Sequence, residues 1–435
     1  MPSNKAKTKT IHVGMLTRVE GEGALHLTVE GGKVVDLRFE IFEPPRFFEA
    51  LLRGRHAREA PDITARICGI CPVAYQMSAL HALEGLFHVA IDPAVRALRR
   101  LYYCGEWIES HALHIHMLAA PDFLGCESVI TLAEKDRPAV ERGLRIKKAG
   151  DNIIKLLGGR PVHPVGACIG GFTRVPSGAA ELAVLHDELA RIRADALACV
   201  RWVAGFDLPD RHLDIEFVSL RHGNEYPMNE GRVVSSRGLD CAPAEFDDCF
   251  EEHQVPHSNA LHAKVKGRGP YFLGPLARVN LNFDQLGPEI AGVVRESGVS
   301  FPNSNPYTSI VARALEILYA VDEALRIIDA YEPPATPAVE FTPRAGIGRA
   351  ITEAPRGMLY QAYETDDRGL IRSARIVPPT SQNQAQIEAD LRELAPAILS
   401  RSQAEATHLC ETAIRNYDPC ISCATHFLRL DIVQR

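Results

Sequence analysis

No run of about 18 consecutive apolar residues occurs in this 435-residue chain, so no transmembrane helix is expected. Excess positive charge is missing too. The 48 Lys and Arg are outnumbered by 55 Asp and Glu, a net charge of -7, which excludes a nucleic-acid binder. There is no GxGxxG in a βαβ setting, so nicotinamide is not expected to bind this chain. No C-x2-C-x2-C series is present, so the chain is not expected to carry an Fe–S cluster of its own. Internal repeats, low-complexity tracts and long linkers are also missing. The lysines of Met1–Lys9 are followed by no apolar stretch, and residues 1–10 read as a solvated tail rather than a signal peptide. The eleven cysteines are odd in number and no export signal is visible, which favours metal ligation or buried thiols over a disulfide framework.

The remaining pattern is mostly helical. Ala24–Val29 and Val34–Phe39 alternate around Gly31-Gly32 and predict a β-hairpin. Val73, Met77, Leu80, Leu83 and Phe87 share one helical face after Cys71-Pro72. Further helical patterns cover 94–119, 134–157, 177–205, 307–331 and 382–416. Residues 206–306 are irregular, with short β-like runs such as Ile215–Val218. A second hairpin is predicted from Met358–Tyr363 and Ile371–Val377, turned at Asp366–Gly369. The expected fold is mostly α with small β elements (α+β), a multi-helix core preceded by a hairpin.

Two CxxC pairs stand out, Cys68/Cys71 and Cys420/Cys423, with Cys71 and Cys420 349 positions apart (420 minus 71). A CxxC turn brings two sulfurs within reach of one ion, and each pair adjoins a proline that suits a helix start. There the backbone N–H groups favour thiolate over thiol. Four thiolates make a soft site suited to Zn, Fe–S or Ni. A structural zinc site is one reading, although zinc ribbons bring their second pair about 15–20 residues after the first. A thioredoxin-like pair is another, but neither CxxC has a βαβ context. If one metal is shared, the ends of the chain meet in the core. Length suggests roughly three domains; a shared metal predicts one integrated domain over 11–426 instead. The scattered Cys104, Cys126, Cys168, Cys199, Cys241, Cys249 and Cys410 read as buried small apolar residues.

Arg66-x-Cys68-Gly69-x-Cys71 with Asp418-Pro419-Cys420-x-x-Cys423-x-x-His426 resembles the large subunit of nickel–iron hydrogenases. Thr17–Gly21, Phe48–Arg55, Gly159–Pro164, Gly274–Arg278 and Glu353–Gly357 resemble the same family's motifs in the same order, so the likeness runs from about residue 11 to 426. It implies that Cys68, Cys71, Cys420 and Cys423 hold nickel, with Cys71 and Cys423 bridging to an iron that carries CO and cyanide. It also implies reversible heterolytic cleavage of H2, with Cys420 and Glu20 taking the proton. Arg356 matches the guanidinium that overhangs the metals, and Asp418 the carboxylate beside it. Glu49 and His426 match ligands of a second cation, Mg or else Fe or Zn, completed by waters and a backbone carbonyl expected near Asn383-Gln384. Taken without the likeness, Glu20 reads as a surface or salt-bridged glutamate, Arg356 as a turn arginine, Asp418 as a helix N-cap and His426 as an ordinary histidine.

Two positions depart from many relatives. Tyr75 stands where a histidine is common, and Ser110 where some have aspartate. Both resemble the cytoplasmic, NAD(P)-linked bidirectional branch. The likeness implies an Fe–S small subunit, flavin or NAD(P)-reducing subunits, maturation proteins, and a protease that removes residues 427–435 after His426. The alternatives are a hydrogen-sensing relative, the quinone-site subunit of respiratory complex I, which lacks the four cysteines, and a non-catalytic four-cysteine metal protein.

Overall fold

The computed structural model describes residues 8–44 and 46–426. Thr8–Val13, Gly23–Glu30 and Lys33–Ile41 form a three-stranded antiparallel sheet in that order. The predicted hairpin is its second half. Thr8–Thr10 pair with Thr28–Glu30, so the solvated tail expected over 1–10 is corrected: its last three residues lie in a strand. The cause is pairing to an existing alternating strand, which outweighs the lysine-rich local composition. Residues 1–7 and 427–435 lie outside the described residues.

Four long helices, Pro93–Leu113, Arg137–Gly158, Ala179–Ala204 and Ser309–Asp329, pack as a ring. The first two cross closely because each has a glycine at the contact. A Cβ on Gly150 would stand 2.5 Å from the Gly105 carbonyl oxygen, too close to be accommodated. Beyond Leu113 the helix widens into a π-turn over His114–Ala119.

Pro72–Phe87 lies against a second antiparallel sheet, Gly346–Ala354, Gly357–Thr365 and Ile371–Val377. Its last two strands are the predicted second hairpin. The helical pattern over 382–416 is three helices instead: Pro379–Glu393, Ala395–Ser400 and Gln403–Arg415. Pro396 cannot continue a helix from Glu393, and the Ser402 hydroxyl accepts from Glu405 N to start the third. The Ile215–Val218 run is mostly irregular, the strand beginning at Val218. Among the described residues the main cluster of buried side chains runs from Ile11 to Cys423, with three smaller ones beside it, so both ends of the chain share a core. Among the described residues, no helix is long and apolar enough to cross a membrane.

Candidate metal centre

Cys71 caps the Pro72–Phe87 helix, and Cys420 caps the single turn Ile421–Ala424. Two buried Glu106 bonds fix the first of these ends: its carboxylate accepts from Val73 N at 2.6 Å and Ala74 N at 3.1 Å. The second is tied to the N-terminal region. Ile421 N donates to Glu20 O at 2.9 Å, and Cys420 N donates to the Thr380 hydroxyl at 3.0 Å.

These ties bring the four sulfurs of Cys68, Cys71, Cys420 and Cys423 within 4.8 Å of one another, all buried. Cys68 Sγ lies 3.5 Å from Cys420 Sγ, Cys71 Sγ 3.7 Å from Cys423 Sγ, and Cys420 Sγ 2.8 Å from Cys423 Sγ. The cluster suits a soft cation, because four thiolates so close repel one another unless a positive ion lies among them. Without one, Cys420 is pushed well up, by Cys423 first, while bonds from Cys420, Cys423 and Cys71 hold Cys68 well down.

Around the sulfurs, Glu20 Oε2 is 3.1 Å from Cys420 Sγ and accepts from Ser422 N at 3.0 Å. Arg356 is buried; its Nε donates to Asp418 O at 2.7 Å and its Nη2 to Asp418 Oδ1 at 3.1 Å. Burial opposes the Arg356 charge, yet Asp418 and the cysteine sulfurs raise its pKa well above the ordinary value. Asp418 has φ 50° and does not cap the helix; Cys420 does. The expected N-cap role is thus absent, because the carboxylate turns to Arg356. Ser110 Oγ accepts from Arg356 Nη1 at 3.4 Å, so serine occupies this place beside the guanidinium. The Tyr75 hydroxyl is buried without a hydrogen-bond partner; burial first, then Cys423 and Cys71, push it well up. A buried hydroxyl left unpaired beside four sulfurs fits a site that holds a further group.

Glu49 Oε2 and His426 Nε2 meet at 3.1 Å, with Ile376 N donating to Glu49 Oε1 at 2.7 Å. They line a cavity of about 370 Å³ together with Arg46, Glu252, Ile376 and Ser381. Asn383 and Gln384 are not among its lining residues. Asn383 Oδ1 accepts from Leu273 N, and Gln384 Nε2 donates to Thr380 O.

Motif residues also support one another. Arg278 lies buried between Glu316 and Glu353, at 2.7 and 2.9 Å, and over the Trp107 ring at 4.2 Å. His163 Nδ1 is 2.7 Å from Ala65 O, which places the Gly159–Pro164 motif against the first cysteine segment. Sequence reasoning missed Glu43, whose Oε2 accepts from the Ser422 hydroxyl at 2.9 Å, and also Thr380, Glu106 and Glu252. None of them forms a spacing pattern with the cysteines. Of the scattered cysteines, Cys168 and Cys249 are only half-buried, unlike the other five.

A bundle that gathers four thiols from both ends of one chain defines a thiolate metalloprotein. Residues 46–142 match the family model for nickel-dependent hydrogenase. The chain is 31% identical over 431 residues to the alpha subunit of sulfhydrogenase 1 from Pyrococcus furiosus, covering 97% of this chain and 98% of that one. It is 30% identical over 450 residues to the matching subunit of the vhc F420-non-reducing hydrogenase from Methanococcus voltae, covering 94% of each. A solved NAD+-reducing [NiFe]-hydrogenase superposes with a TM-score of 0.85 at 28% identity, over 97% of this chain and 100% of that one. The chain belongs to the nickel–iron hydrogenase large subunits, the catalytic subunits that cleave H2. Family and four-thiol cluster together support a Ni–Fe centre here, and relatives that are alpha subunits imply a small-subunit partner.

Proposed function

We propose that Cys68, Cys71, Cys420 and Cys423 hold nickel, with Cys71 and Cys423 also binding an iron that carries CO and cyanide. The observation that carries this reading is the convergence of the four sulfurs with the Glu20 carboxylate 3.1 Å from one of them. The bound metal pair supplies the Lewis acidity and redox capacity that polarise H2 and take up its electrons. This chain's residues handle the protons. The Cys420 thiolate would take the first proton of H2 and Glu20 Oε2 would receive it over a hydrogen-bond distance, and the second proton, released once both electrons have left, would follow the same route. Arg356 holds a permanent positive charge in the buried site, and Asp418 fixes its orientation. Glu49 and His426 bind a second cation, Mg2+ by preference, which anchors the C-terminal segment that carries Cys423.

The two electrons leave to a small subunit with Fe–S clusters and from there to NAD(P)+ on a further subunit, in the cytoplasm. Similarity to the NAD+-reducing enzyme, with Tyr75 and Ser110, supports that branch. Exposed Phe47, Leu51 and Val162 come from segments next to the cysteine turns and offer apolar surface for the small subunit. Residues 11–426 act as one unit, consistent with their common core. Maturation proteins load the metals, and a protease cuts after His426; intact mass of the active large subunit checks that cut, a chain still ending at Arg435 overturning it. Activity of the native complex tests the coupling. H2-dependent reduction of NAD+ or NADP+ is expected. Dye reduction by H2 without reduction of either nucleotide would overturn it.

A further inference from the structure

Away from the sulfur cluster, three potential ligands meet where a loop, a strand and a helix join. His257 lies in the loop after Phe250–His253, His262 opens the strand His262–Val265, and Glu388 lies within Pro379–Glu393. One ligand atom from each falls within 4.8 Å of the other two. His257 Nε2 is 2.8 Å from Glu388 Oε1, and the two imidazoles stand edge to face with centroids 5.9 Å apart. Glu388 Oε1 also accepts from Phe39 N at 3.1 Å, which pins the carboxylate. His262 is 4% exposed, and its Nε2 has no hydrogen-bond partner. A buried imidazole nitrogen left so is unfavourable unless something occupies it.

We propose that His257, His262 and Glu388 form a site for a late first-row divalent cation, Zn2+ being the best match. Two imidazoles and a carboxylate are a borderline-soft donor set, and Zn2+ accepts three such ligands with water in the fourth position. Zn–N and Zn–O bonds of about 2.0–2.2 Å place ligands on one ion about 3–3.5 Å apart. The ligand atoms, within 4.8 Å of one another, already stand close to that spacing.

The position says what the ion does. Between the two histidines, Asn259 donates from N to Ile41 O at 2.7 Å and accepts from His426 N at 2.9 Å, while Ala260 bridges Thr425. A cation here ties this loop to the Pro379–Glu393 helix, whose Thr380 holds Cys420 N. It is a structural clip behind the C-terminal segment, and it shares no ligand with Glu49 and His426.

Crystals of the native complex soaked in Zn2+ test this by anomalous diffraction at the zinc edge. A peak is expected about 2 Å from a nitrogen of each histidine and an oxygen of Glu388. By metal analysis, wild-type complex equilibrated with Zn2+ and desalted should hold one more zinc than His262→Ala or Glu388→Gln. No peak between these three side chains would overturn the proposal, and so would equal zinc in all three proteins. The diffraction result needs no variant and stands if a variant fails to fold.

Discussion

Glu20 Oε2 lies 3.1 Å from Cys420 Sγ although 400 residues separate them in the chain. The contact is held from the backbone: Ile421 N donates to Glu20 O, and Ser422 N to the same carboxylate oxygen. A carboxylate fixed against a thiol by two peptide groups is placed for proton transfer. Glu20→Gln keeps the shape and removes the acid–base function. Turnover should fall by about 10²–10⁴-fold with nickel and iron content unchanged, and Glu20→Asp should recover part of it. Full activity of the glutamine variant would remove Glu20 from the proton path.

Arg356 and Asp418 are a buried pair, each 3% exposed or less. Removing one partner of such a pair costs about 3–5 kcal/mol, because the other charge is left without compensation. Arg356→Leu should lower the thermal midpoint of the complex and cut turnover. The double variant Arg356→Leu/Asp418→Asn should regain stability but not turnover. Equal losses of stability in the single and double variants would show that the pair is not coupled.

The Tyr75 hydroxyl is buried without a partner and feels the Cys423 and Cys71 sulfurs. If it donates to a bridging thiolate, Tyr75→Phe should shift the CO and cyanide infrared bands of the native complex without changing its metal content. Unchanged bands would place the hydroxyl outside the electronic reach of the metals.

Three histidines on and after the Pro93–Leu113 helix predict acid sensitivity. Burial first pushes His111 down to about 4, against the pull of Glu316, and His114 and His116 each to about 3. Unfolded imidazoles titrate near 6.5, so below that pH the unfolded chain binds protons that the folded chain refuses. Their contribution is complete above about pH 6.5 and is lost as pH falls from there toward 4 and 3. The thermal midpoint should therefore drop between about pH 7 and about pH 5. A flat profile across that interval would contradict burial of the three rings as neutral groups.

What could be read in the sequence follows from what is local. Both hairpins were legible because alternation and turn residues are short-range signals. The strand Gly346–Ala354 was not: its second half is buried throughout, so it shows no alternation. Pro396 and the Ser402/Glu405 box were readable breaks in the 382–416 helical pattern, outweighed there by its period. The cysteines were legible because thiol pairs carry their chemistry in their spacing. Glu43, Glu106, Thr380 and Glu252 reach the site only through tertiary contacts and form no motif with it. His257, His262 and Glu388 escaped for the same reason, since 126 residues (388 minus 262) separate the last two.

Nickel K-edge X-ray absorption of the purified native complex tests the central claim most directly. The account predicts stoichiometric nickel in a sulfur-dominated shell at about 2.2–2.3 Å, close to metal–thiolate distances generally, with an iron scatterer beyond it. A fully assembled, active complex whose four cysteines bind zinc, with no nickel edge, would contradict it.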